Sequence, residues 1–163
     1  METVIKVGIA DLNIVRSPYT IRTTGLGSCV GVILYDESQR LAGLAHVMLP
    51  DSSIAKDPTT INKAKFADTA IKELLSKLVM EGSRANKLKA KIAGGAEMFS
   101  FSSQNEMMRI GPRNVEAVKL ALLKENIRIV AEDTGGNSGR TIEFDPSTCL
   151  LQIRTVNKGT KDI

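Results

Sequence analysis

Two apolar segments constrain this chain more than anything else in it: CVGVILYD, from Cys29 to Asp36, and LAGLAHVML, from Leu41 to Leu49. Both are dominated by the branched and small apolar residues that suit strands, and the polar residues of DESQR join them. That arrangement predicts a β-hairpin. A glycine-rich turn, GLGS, leads into the first segment, and Cys29 sits at the junction. The second segment carries the chain's only histidine, His46. Adjacent antiparallel strands would place residues 29 and 46 towards the same end of one sheet.

The remaining pattern surrounds this hairpin with further strands and two helices. VIKVGIA reads as a strand, the residues up to SPYT as a polar turn, and IRTT as a short extended piece. PDSSIAKDPTT is a polar loop of the kind that often carries function. A helix is predicted over roughly residues 60–80, where Phe66, Ala67, Ala70, Ile71, Leu74, Leu75 and Leu78 form one apolar stripe and Gly82 marks the stop. KAKIAGGAEMF reads as a strand ending in a Gly-Gly turn. A second helix is expected to begin near Asn114, which can cap it, and to turn Val115, Val118 and Leu122 inward. NIRIVAEDT is a strand, GGNSGR a loop, and TIEF-DPST-CLLQIRTV a hairpin. The expected product is a layered α/β (α+β) fold in a single domain over residues 1–163, large enough to bury its own core.

Charge and composition narrow the function classes. With 22 Lys and Arg against 18 Asp and Glu, the net charge of +4 is modest and scattered, and the basic residues lack interleaved aromatics. No nucleic-acid role is supported. The apolar runs fall short of a membrane span, METVIKVGIADLN does not read as a signal peptide, and no membrane insertion is expected. Two cysteines build no disulfide framework, and one histidine argues against zinc. The expectation is a cytoplasmic monomer that needs no metal or cofactor.

Cys29 is the first candidate for chemistry. Gly25 and Gly27 permit a turn in which the N–H groups of Ser28 and Cys29 point outward together, as an oxyanion hole requires. Taken alone, a small buried structural cysteine at the start of a strand is the simpler reading of Cys29. His46 alone reads equally well as a core imidazole. Together they read as a nucleophile and its base, because an imidazole can accept a thiol proton and later return it to a departing amine. A third group should orient the imidazole, and Thr23, Thr24, Asp36 and Asp51 are the candidates. AGGAEMF and EDTGGNSGR lack the Gly-Lys-Ser/Thr ending of a phosphate loop and read as turns. Glu132 and Asp133 have no third carboxylate at metal-ligand spacing. Cys149 reads as structural, and the methionines as core filling or adaptable surface.

The blocks GLGSCV, AHVMLPDS, KFADTA, KIAGGAEMF, IGPRNVEAV and AEDTGGNSGR, in this order, resemble the CheD family of chemoreceptor glutamine deamidases, over about residues 7–156. The resemblance implies a cysteine-hydrolase sandwich of packed sheets with flanking helices, shared with the cytotoxic necrotizing factor toxins. It implies Cys29 as nucleophile, His46 as base and Thr23 as its support. It implies hydrolysis of glutamine side chains on methyl-accepting chemoreceptors to glutamate, through a thioester, with release of ammonia. It also implies a second partner, the CheC phosphatase, which the protein would bind and stimulate. The loop at residues 50–60 and the AGGAEMF turn are the expected surfaces for substrate selection. Transamidation or proteolysis at the same Cys–His pair, and a purely regulatory binding module, are the competing readings.

Overall fold

The computed structural model describes residues 3–98 and 109–163; Phe99, at the end of AGGAEMF, and Met1, Met107 and Met108 lie outside that range. Among the described residues the strands are β1 (Val4–Val7), β2 (Leu12–Arg16), β3 (Thr20–Leu26), β4 (Val30–Asp36), β5 (Leu41–Val47), β6 (Lys89–Gly94), β7 (Arg128–Thr134), β8 (Arg140–Asp145), β9 (Leu150–Thr155) and β10 (Gly159–Asp162). The helices are α1 (Ala67–Met80) and α2 (Ile110–Lys124). One sheet has the order β1-β3-β8-β9-β10 and the other β2-β5-β4-β6-β7. The two sheets pack face to face, and both helices cover the outer face of the second sheet. This is the layered sandwich expected from the sequence.

The CVGVILYD–LAGLAHVML pair forms the hairpin β4–β5, and every residue of both strands is buried. Continuous apolar runs, without polar alternation, are what a strand covered on both faces needs. Side chains nevertheless alternate by pleat. Val30, Val32 and Leu34 pack under the helices, whereas Ile33 and Tyr35 face the other sheet. On β5, Leu41, Ala45 and Val47 face the helices, and Ala42 and Leu44 face the other sheet. His46 therefore points between the sheets, on the side opposite the helices.

Several boundaries differ from the sequence pattern for identifiable reasons. The first helix begins at Ala67, and the segment ahead of it forms short 3-10 turns. There Asp57 and Asn62 accept hydrogen bonds from the Thr59 and Ala64 N–H groups, a local alternative to helix. α2 begins at Ile110, so Asn114 lies inside it, fully buried, and does not cap it. The segment read as a polar turn contains β2, a half-buried strand pairing with β5 at the sheet edge. β10 is a second edge strand, too polar to stand out in the pattern.

The contact between α1 and the hairpin is tight. Leu74 is fully buried over Gly43, where an added Cβ would lie 2.5 Å from the leucine Cδ1. Leu74→Ala should leave a cavity and cost about 2–5 kcal/mol of stability, read as a fall in the urea midpoint without loss of the native fold. A variant as stable as the parent would show that this layer is loosely packed.

Candidate active site

Thr23 and His46 come from different sheets and meet across the interface between them. The Thr23 Oγ1 lies 2.7 Å from His46 Nδ1 and 2.7 Å from the Val7 carbonyl oxygen. Val7 is the partner of Thr23 in the parallel pairing of β1 with β3. A threonine hydroxyl has one hydrogen, and a carbonyl can only accept. The hydroxyl therefore donates to Val7, and His46 Nδ1–H donates to the hydroxyl. The imidazole is held as the Nδ1–H tautomer, with the lone pair on Nε2. That Nε2 is buried and has no hydrogen-bond partner among the described residues.

Cys29 sits just before β4. Gly31 is directly opposite His46 in the β4–β5 register. Cys29, two residues earlier, shares the pleat parity of Gly31 and borders the apolar cluster between the sheets. The thiol and imidazole thus occupy one face as diagonal cross-strand neighbours, a relation with about 7–8 Å between backbone positions. The sulfur makes no hydrogen bond to Nε2 in this state.

The backbone around Cys29 is pinned by the segment that follows β6. Gly95 N–H donates to the Cys29 carbonyl at 2.8 Å, and Ala96 N–H donates to the Gly27 carbonyl at 2.9 Å. Gly94 has φ +113°, and a Cβ there would collide with the Cys29 carbonyl oxygen, so the close approach requires glycine. The GGNSGR loop braces this segment in turn: Gly135 N–H bonds the Gly94 carbonyl and Glu97 N–H bonds the Gly136 carbonyl. Among the described residues, no backbone carbonyl accepts from the N–H of Ser28 or Cys29.

Burial sets the protonation of the pair. It lowers the His46 pKa from 6.5 to about 4, because a buried imidazolium loses its hydration. It raises the Cys29 pKa for the same reason, with a smaller opposing effect from the residue's own N–H. At neutral pH the pair rests as thiol and neutral imidazole.

The other candidates for orienting the imidazole lie elsewhere. Thr24 faces solvent. Asp36, at the far end of β4, binds the hydroxyls of Ser38 and Ser83. Asp51 accepts the Ser53 N–H at the start of a 3-10 turn. Cys149 is half-buried, with its sulfur 3.7 Å from the Pro146 carbonyl, and Lys91 Nζ donates to its backbone carbonyl at 2.6 Å. Asn114, read only as a helix cap, instead reaches the site: its Nδ2 donates to the carbonyls of Ser28 at 3.0 Å and Met48 at 2.8 Å. Its place among Gly111, Val118 and Leu122 on the buried stripe of α2 was the available clue, a polar residue at an apolar position.

The profile of the family described as "CheD chemotactic sensory transduction" matches residues 48–155. The chain belongs to the CheD family. It is 61% identical to the chemoreceptor glutamine deamidase CheD of Halalkalibacterium halodurans over 163 residues, covering 100% of both chains. It is 59% identical to the Bacillus subtilis CheD over 160 residues, 98% of this chain and 96% of the relative. A solved structure, that of the Bacillus licheniformis hypothetical protein YfiH, aligns with a TM-score of 0.49 at 14% identity, over 78% of this chain and 51% of that one.

The imidazole makes stability depend on acid. Its folded pKa lies below the unfolded value, so between pH 6.5 and about 4 the unfolded chain binds the extra proton. The contribution is intact above pH 6.5 and lost as pH falls, on the order of 2–3 kcal/mol by pH 4. Urea titrations across that range should show this slope in the parent and lose it in His46→Gln. Equal slopes in the two proteins would place the acid sensitivity elsewhere.

Proposed function

We propose that this CheD-family protein is a protein-glutamine deamidase acting on chemoreceptors, with Cys29 as nucleophile, His46 as general base and acid, and Thr23 as the group that orients His46. The observation that carries this reading is the single-hydrogen relay Val7–Thr23–His46, which leaves an unpartnered Nε2 lone pair on the face shared with Cys29. Relatives of 61% and 59% identity are named as such deamidases, which supports the substrate class.

The chemistry follows from these atoms. A glutamine carboxamide enters beside Cys29, and the thiol proton moves to His46 Nε2 as sulfur attacks the amide carbon. The carbonyl π-electrons move to oxygen, and the N–H groups of Ser28 and Cys29 receive the oxyanion. Collapse re-forms the carbonyl and breaks the C–N bond, and His46 returns its proton to the departing ammonia. Water then gives a proton to Nε2 and its oxygen attacks the thioester. Expulsion of sulfur, which recovers the proton, leaves a carboxyl that ionises to glutamate. Each turnover consumes one amide and one water and yields one glutamate and one ammonium. Binding of the CheC phosphatase, and work in the cytoplasm beside receptor arrays, belong to this reading through family membership alone.

Two experiments test it. Incubation with receptor cytoplasmic fragments should add about one dalton per modified glutamine and release matching ammonia, and Cys29→Ala should do neither. Mass shifts that persist in Cys29→Ala, or that appear only with an added amine, would sink the deamidase assignment. Thr23→Val should lower kcat by about 10- to 100-fold by freeing the tautomer, whereas Thr23→Ser should keep most activity. Equal activity in both variants would remove Thr23 from the mechanism.

A further inference from the structure

Beyond the Cys29–His46–Thr23 group, the fully buried amide of Asn114 touches the site from the helical layer. The hairpin's last rung at this end pairs Val30 with Val47, and beyond it the two chains diverge. The Ser28 carbonyl lies on one diverging chain and the Met48 carbonyl on the other. Both hydrogens of Asn114 Nδ2 are spent on them, at 3.0 and 2.8 Å. Two carbonyl acceptors fix which end of the amide is nitrogen. The arrangement leaves Asn114 Oδ1 buried without a partner among the described residues, at a cost that side-chain burial alone does not justify.

The Ser28 carbonyl belongs to the same planar trans peptide unit as the Cys29 N–H. In such a unit the C=O and N–H point in opposite directions. Anchoring the carbonyl on the α2 side therefore turns the Cys29 N–H away from the helix. Without that anchor the Ser28–Cys29 peptide could rotate as a unit and withdraw the N–H. The first turns of α2 are well held for the task. A Cβ on Gly111 would collide with the Ala96 carbonyl, and Gly95 in turn lies against Val115 and the Gly111 carbonyl. Helix, Gly94–Ala96 segment and Cys29 turn are packed as one body.

We infer that Asn114 is a positioning residue whose side-chain amide holds the Ser28–Cys29 peptide with its N–H presented to the oxyanion of the reaction. The inference rests on the deamidase reading, and it separates two steps of Cys29 chemistry. Amide hydrolysis passes through an oxyanion and needs that N–H. Alkylation by iodoacetamide displaces iodide from a saturated carbon and needs only the thiolate.

The test compares the parent with Asn114→Ala and Asn114→Asp, neither of which can donate to both carbonyls. Deamidation of receptor fragments and iodoacetamide labelling of Cys29 are measured for each across pH. The expected result is a kcat for deamidation lower by at least about tenfold, approaching the roughly hundredfold loss of an oxyanion donor, with little change in KM. Labelling rate and its pH profile should stay within about twofold of the parent. Undiminished deamidation in folded variants would overturn the inference and leave the deamidase reading standing. Parallel loss of labelling and deamidation, or failure of both variants to fold, would also overturn it, because that is how a purely architectural clamp behaves. A parent that labels normally but never deamidates would overturn the functional reading and this inference with it.

Discussion

A threonine hydroxyl has one hydrogen, and in this fold it goes to the Val7 carbonyl. The disposition of the site follows from that choice. Thr23 must accept from His46 Nδ1, so the basic lone pair lies on Nε2, among the side chains between the sheets. Three strands cooperate: β1 supplies the acceptor, β3 the hydroxyl and β5 the imidazole, with β1 and β3 in one sheet and β5 in the other. The protonation state of the histidine is therefore a property of how the two sheets pack.

The same packing explains why the pair is uncharged at rest. Two ions in a largely desolvated site would each lose hydration, and a diagonal spacing without a direct hydrogen bond returns little of it. Keeping the thiol protonated also protects it from adventitious oxidation and alkylation, which proceed through thiolate. On the proposed reading, charge develops only when a carboxamide is present to accept the sulfur. The Ala96 N–H holds the Gly27–Ser28 peptide and, on our inference, Asn114 holds the Ser28–Cys29 peptide, so on the proposed reading little reorganisation would accompany the chemistry.

Much of this was legible in the sequence. The hairpin, both helices and the placement of Cys29 and His46 towards one end of a sheet follow from apolar runs and turn residues, which are local patterns, whereas their sharing of one face depends on the strand register. Thr23 could be named as one of four candidates but not selected by pattern, because its selection depends on a contact between sheets. Asn114 was misread as a cap for a related reason: Asn is a good cap in isolation, and only tertiary packing shows a helix already under way at Ile110. The Val7 carbonyl left no trace at all, since any residue supplies a backbone oxygen. β2 and β10 escaped because edge strands tolerate polar residues and lose the alternation that marks them.

The central position of β4 and β5, enclosed by helices on one side and a sheet on the other, has a further consequence. Strands at the middle of a sheet open only with the whole molecule, so their amides should be among the slowest to exchange with solvent water. A centre anchored there is insulated from fluctuations and from sequence drift at the periphery. Relatives acting on different proteins could then diverge freely in their outer loops while the reacting atoms keep a common geometry. The fold separates the part that must stay still from the part that can adapt.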